Sequence, residues 1–458
     1  MSALWSTAEL QAATGGLLRR PFAATGVSID TRSLRPGDLF VALVGDNGDG
    51  HAHVAAALAQ GAAGALVHSL PDKVADDAPL LQVADTLQGL RDLASFARAR
   101  FQGRLVAVTG SVGKTTTKEM LRGMLTPQGH TWAAEASHNN QWGVPLTLAR
   151  LSARAKFCIV EIGMNHTGEI SPLARLARPH VAVITTIERS HIGYLGSIEA
   201  IADEKAAILD GLEPGGLAIL PADSPLFSRL SARAARQLTF GATAAAQVRL
   251  IEAMSDASGV QVVADFADHR MAFRIGAPGR HMAVNALAAL AAAAAMGADL
   301  DRAAAALADF QAVVGRGALR HIALPGGEAL LLDESYNASS SATIRAALGV
   351  LALQPATRRL AVLGDMLELG QAGPEEHASL APDIEKTVDL LFACGPLMRL
   401  PYDAIAAGKR GAHAEDSASL APIVAAAARP GDAILVKGSL GSRMRTVVSA
   451  LEDAGAAG

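Results

Sequence analysis

The segment LVAVTGSVGKTTTKEML places a lysine and a run of threonines directly behind a glycine-rich turn. Its apolar start predicts a strand ending at Val108, and a helix is predicted from about Lys114. Gly110 and Gly113 let backbone N–H groups turn inward toward phosphate oxygens. The helix N-terminus adds partial positive charge there. Gly110, Ser111, Val112, Gly113, Lys114, Thr115 and Thr116 therefore read as a nucleotide phosphate cradle. Lys114, a solvent-facing group of this loop, reaches the β/γ-phosphates, and the Thr115 hydroxyl ligates Mg²⁺. The core is the short form G-x-x-G-K-T, with Val108 where the common motif has a further glycine.

A Mg²⁺-nucleotide site needs a carboxylate from an adjacent strand. FCIVEIG supplies one, an apolar strand ending in Glu161, where a buried charge is costly unless paired or metal-bound. The run VAVITTI leads into ERSHIG and sets His191 just past a strand end, the edge where α/β sheets hold ligands. A helix is predicted from Ser197 to Leu212, with Ser197 as cap and Glu199 in the first turn. Its apolar stripe, Ile198, Ile201, Ile208 and Leu212, turns position 205 inward, and position 205 is lysine. Each feature has a plainer alternative. These are an ordinary glycine-rich turn, a Glu161 paired with a neighbouring base, a surface-loop His191, and a Lys205 that snorkels to solvent.

The elements that must position these groups alternate short apolar runs with helical patterns, which is α/β architecture. At about 150 residues per domain, 458 residues suggest roughly three. Punctuation divides them at 1–102, 103–314 and 315–458. In the first, Val27 to Asp30 and Asp38 to Val44 read as strands around the turn Arg35-Pro36-Gly37. GDNGDG (45–50) reads as a loop, and Thr86 to Phe101 as a closing helix. In the second, residues 236–275 suggest added antiparallel strands. The third reads as a smaller Rossmann-like domain, but its loop Gly364 to Gly370 is not a dinucleotide turn.

Composition narrows the function further. The net charge is −4 with no basic stripe, which argues against nucleic-acid binding. The longest apolar run, Ala286 to Gly297, is too short for a bilayer, so no membrane insertion is expected. The start MSALWSTAELQ has no signal-peptide pattern, and Cys158 and Cys394 read as buried thiols, so a cytoplasmic protein is expected. A monomer is expected.

Taken together, these residues resemble the Mur ligase family, the ATP-dependent amide-forming enzymes of peptidoglycan synthesis. TGSVGKTTTKEML, SHNNQWGVPLTLAR, VEIGMNHTGEI, LLDESYNASS, AVLGDMLELG and LVKGSLGSRM follow in the family's order. IDTRSLRPGDLFVALVGDNGDGHAHV resembles its N-terminal, uridine-nucleotide-binding domain, so the resemblance covers essentially the whole chain. LGDMLELG resembles the branch that adds D-alanyl-D-alanine to UDP-N-acetylmuramoyl-tripeptide.

The resemblance implies three α/β domains: a UDP-sugar domain, a central phosphate-loop domain with a mostly parallel sheet, and a C-terminal Rossmann-like domain. It implies ATP and Mg²⁺ as cofactors. Glu161, His191 and a CO₂-carbamylated Lys205 would be metal ligands. Asn285 would contact adenine and Arg316 the nucleotide, while Glu334, Tyr336 and Asn337 close over ATP. Thr31, Arg32, Asn139 and Asn140 fall where the UDP-sugar is held. Two departures stand out: Ser339-Ser340 replace the usual Asn-Pro after Asn337-Ala338, and Ile192-Gly193 follow the histidine where Leu-Glu is common.

The rival readings are a sibling ligase adding a single amino acid, a phosphate-loop kinase, and a nucleotide-gated switch. LGDMLELG argues against the sibling. A kinase would release a phosphorylated product, and a switch has no need of Lys205 on an inward stripe.

Overall fold

The computed structural model describes residues 3–45, 48–134, 137–267 and 269–456. The tip of the expected GDNGDG loop, Asp46-Asn47, lies outside them, as does position 268 within the 236–275 segment. The protein is α/β, built on three sheets that follow one another along the chain.

The first is five-stranded, in the order Leu17–Leu18, Leu80–Gln82, Gly64–Val67, Asp38–Val41, Gly26–Ser28. The Arg35-Pro36-Gly37 turn forms as expected. Asp38 N–H donates to Arg35 O (3.0 Å), and Gly37 takes φ +91°, which a type II turn requires at its third position. The strands it joins are parallel, however, so the turn re-aims the chain and does not tip a hairpin.

The central sheet has nine strands, running His269–Ile275, Gly259–Phe266, Val248–Asp256, Gln237–Gly241, Leu217–Pro221, Val181–Ile184, Arg104–Thr109, Phe157–Glu161, Thr131–Ala133. Pairing is parallel from Thr131–Ala133 through Val248–Asp256. The last two strands add antiparallel, as residues 236–275 suggest. The inner parallel strands Phe157–Glu161, Val181–Ile184 and Leu217–Pro221 are buried nearly end to end because helices cover both faces, whereas Val248–Asp256 is largely exposed beyond Leu250. The alanine-rich helix Arg280–Ala295 fills one face together with Lys114–Leu125, so its apolar run is core. Among the described residues no helix is long and apolar enough to cross a membrane.

Register decides where the chemistry sits. Glu161 pairs with Val108, and Ile184 with Thr109, so three strands end level at one edge. The phosphate loop, Glu161 and the His191 segment all leave from that edge.

The third sheet is six-stranded, in the order Ala318–Leu324, Gly327–Glu334, Asp432–Lys437, Arg358–Gly364, Leu390–Cys394, Arg410–Ala414. Glu334 pairs with Lys437, and Leu363 with Lys437 on the other side. The C-terminal edge of this sheet therefore carries Glu334, Lys437 and the loop after Gly364. Both cysteines are free and buried.

Candidate active site

The edges of the central and third sheets line one cavity of about 750 Å³. From the central unit it is lined by Ser111 to Lys114, Thr116, Asn139, Asn140, Glu161 and His191. Asn285 and Arg316 join beside the phosphate loop, and Glu334, Tyr336 and Asn337 from the third unit. Gly110, Thr115 and Lys205 are not at the wall. Thr31 and Arg32 are elsewhere; the Arg32 guanidinium is exposed and bound to Asp30 (2.6 Å).

The cradle is built in two halves. Thr186 O accepts the Ser111 N–H (2.9 Å), and Thr186 Oγ1 accepts the Val112 N–H (3.1 Å). Ser111 Oγ is tied to Glu188 through its backbone N (2.9 Å) and O (3.0 Å). Those amides therefore anchor the loop. The cradle proper is the first turn of Lys114–Leu125, whose opening N–H groups have no intrahelical acceptor. Gly113 precedes it at φ +87°, and a Cβ there would collide with the Asn285 amide. Gly113→Ala is expected to raise the KM for ATP about tenfold, since a left-handed non-glycine residue costs roughly 1–2 kcal/mol. Steady-state kinetics against ATP checks it.

Lys114 is half-buried at the cavity wall. Its Nζ folds back onto Gly110 O (2.7 Å), and burial draws its pKa down to about 8, against the opposing pull of Glu161. Ser111 O also lies within reach of the ammonium (3.4 Å).

Glu161 is 2 % exposed, and both oxygens are engaged. Thr115 Oγ1 donates to one (2.9 Å) and Asn139 Nδ2 to the other (2.7 Å). The plainer alternative, an Arg or Lys partner, is not what the structure shows. Asn140 Oδ1 accepts the N–H groups of Trp142 (3.2 Å) and Gly143 (2.9 Å), opening the helix Gly143–Ala149.

Ser197 caps the next helix by accepting the Ala200 N–H (3.1 Å). The α-helix stops at Ala206 and continues as a 3₁₀ segment, Ala207–Gly211, short of the predicted Leu212. Lys205 is 1 % exposed, so it does not snorkel. Burial, then repulsion from Lys114, holds its amine well below the usual lysine range, with Glu204 opposing. His191 leaves its loop at φ +63°, and its Nδ1 lies 2.6 Å from Glu368 Oε2. The two atoms are off the hydrogen-bond axis, so the buried nitrogen lacks a well-directed partner.

The Arg316 guanidinium stacks 4.0 Å over the Tyr336 ring and donates to Ser137 Oγ (3.0 Å), beside Thr115 of the cradle helix. Glu334 accepts from Lys437 Nζ (3.0 Å), which also donates to Asn337 O (3.0 Å). Lys437 is 3 % exposed. It was findable, because AILVK is an apolar strand ending in a charge, the same signal that marks Glu161. Glu188 and Glu368 also line the cavity and carried no such signal, being in loops.

Family profiles match three spans: "Mur ligase family, catalytic domain" over 23–98, "Mur ligase middle domain" over 108–293, and "Mur ligase, glutamate ligase domain" over 326–440. The chain is 36% identical over 441 residues to the UDP-N-acetylmuramoyl-tripeptide–D-alanyl-D-alanine ligase of Escherichia coli, covering 94% of each. The chain belongs to the Mur ligase family. The Synechocystis ligase of the same name is 35% identical, over 93% of this chain and 91% of that protein. MurF from Acinetobacter baumannii has a similar structure (TM-score 0.84, 29% identity, 98% and 99% covered). So does MurF from Thermotoga maritima, solved with ADP (TM-score 0.77, 25% identity, 94% and 97% covered). The resemblance read from the motifs is thus borne out along nearly the whole chain.

Proposed function

We propose that this Mur ligase joins D-alanyl-D-alanine to UDP-N-acetylmuramoyl-tripeptide with ATP, through an acyl phosphate, in cytoplasmic peptidoglycan precursor synthesis. The observation carrying this reading is the shared cavity, in which the phosphate cradle of one sheet faces Glu334, Lys437 and LGDMLELG of the other. Full-length similarity to ligases of that name supports it. Residues 1–102 would hold the UDP-sugar, 103–314 ATP, and 315–458 the dipeptide; each sheet falls within one of these spans. The chain is proposed to act as a monomer.

The tripeptide carboxylate attacks the γ-phosphorus, ADP leaves, and an acyl phosphate forms. The dipeptide amine then attacks the acyl carbon, loses a proton, and expels phosphate. The first step joins two anions, so it needs charge neutralisation above all. The amides of Gly113 to Thr116 receive phosphate oxygens, and Lys114 swings from Gly110 O to the β/γ-phosphates. Asn285 is assigned to the adenine and Arg316 to the nucleotide, and Glu334, Tyr336 and Asn337 close over it. Thr31, Arg32, Asn139 and Asn140 remain assigned to the UDP-sugar, with Asn139 also fixing Glu161.

The donor set fits Mg²⁺. Glu161 is a buried carboxylate bound only by neutral donors, and the Thr115 hydroxyl is already on it. Thr115, Glu161, His191 and a carbamylated Lys205 would hold the ion, which when bound supplies neutralising charge at the γ-phosphate.

Phosphate release decides the reading. It is expected only with ATP, UDP-muramoyl-tripeptide and D-alanyl-D-alanine all present. When free D-alanine competes with the dipeptide, the dipeptide should be incorporated. Preferential uptake of the single amino acid would move the chain to the sibling class, and a phosphorylated end product to a kinase.

A further inference from the structure

The segment 189–193 carries His191, yet it is also where the third unit docks. Gly193 N–H donates to Glu368 O (2.9 Å). A Cβ at Gly193 would stand 2.9 Å from Glu368 O and 3.1 Å from Gly370 N, so only glycine lets the two backbones meet this closely. Ile192 packs against the core of the third unit, and Arg189 lies 3.4 Å from Glu376. At the centre of this seat Glu368 Oε2 stands 2.6 Å from His191 Nδ1. Both residues hold left-handed backbone conformations, φ +68° and +63°. Non-glycine residues keep such conformations only where their surroundings over-determine them, and such strain clusters at functional sites.

We propose that Glu368 is a positioning residue for ligation: reaching from the third unit, it holds Nδ1 of His191 and turns the other ring nitrogen to the cavity, and it does so only while the two units are docked. The inference rests on the metal role of His191 proposed above. A histidine ligand usually gives its second N–H to a carboxylate, which fixes its tautomer and ring plane. Here that carboxylate comes from another sheet, so docking and ring placement are one event. The pair is close but off axis.

The test titrates Mn²⁺ into full-length protein with saturating ADP, followed by electron paramagnetic resonance. Glu368→Ala is expected to weaken Mn²⁺ binding at least about tenfold. Glu368→Gln, which keeps an oxygen acceptor, should recover part of that loss. ADP affinity without metal and the thermal transition should stay as in wild type, since Glu368 is assigned to neither. If both variants bind Mn²⁺ like wild type, Glu368 is only a latch and the proposal falls, whatever their turnover. Wild-type phosphate release separates this failure from failure of the ligase reading. A wild type that ligates and binds Mn²⁺ leaves the function standing when the variants show no effect.

Discussion

Lys114→Ala is expected to abolish ligation and leave the protein folded. In the structure the ammonium satisfies itself on Gly110 O and Ser111 O, contacts within its own loop. Removing it takes away no hydrogen bond outside that loop, and alanine is compatible with the helix Lys114–Leu125 that starts there. What disappears is a positive charge at the phosphates where negative charge must be gathered. Loss of one such transition-state contact costs about 3 kcal/mol, on the order of a hundredfold in rate. Burial draws the lysine's pKa down to about 8, which still leaves the amine mostly charged at neutral pH. The check is kcat/KM by coupled phosphate release, beside a thermal melt within a few degrees of wild type. Turnover near wild type would remove Lys114 from the cradle.

That lysine also marks how far sequence reaches. Its position was legible because a buried parallel strand reads as an unbroken apolar run, so the residue that ends the run is conspicuous. Val108, Glu161 and the His191 segment were all found this way, and the level register of their strands explains why they meet. Position 205 was legible through helical periodicity. The edge strands of the third sheet were not. Ala318–Leu324 mixes buried and exposed residues, and Arg410–Ala414 has no fully buried one, so neither shows the run that betrays a central strand. The parallel pairing across Arg35-Pro36-Gly37 was hidden too, since turn chemistry is local and strand direction is not. The hold of the loop carbonyls on the Lys114 ammonium was hidden as well, since the motif names its phosphate role and not its partners within the loop. Glu368 meeting His191 lies beyond any local pattern, because two loops on different sheets make the contact and only the docked fold brings them together.

Lys205→Ala is expected to lose activity by about a hundredfold or more, with a small carboxylate such as acetate restoring part of it. The helix Ile198–Ala206 turns this residue into the core, and no described residue accepts a hydrogen bond from its amine. Glu204 next to it spends its carboxylate on the N–H groups of Gly168 (2.7 Å) and Ile170 (2.8 Å). Burial and the nearby Lys114 charge both disfavour the ammonium. A neutral amine in that setting is a nucleophile toward CO₂: its lone pair forms the N–C bond, one proton leaves nitrogen, and a carbamate anion remains. This converts a position unfavourable for a cation into an anionic oxygen donor of the kind Mg²⁺ prefers. It also places a negative charge beside Lys114, reversing the repulsion between the two lysines. Alanine removes the donor, and acetate can occupy the space vacated, so rescue by acetate distinguishes a lost carboxylate from a collapsed core. Carbon-13 NMR of protein held under labelled CO₂ with ADP and Mg²⁺ should show a carbamate resonance that is absent from Lys205→Ala. Full activity in that variant, or a bare Lys205 amine beside a bound metal ion, would overturn the assignment.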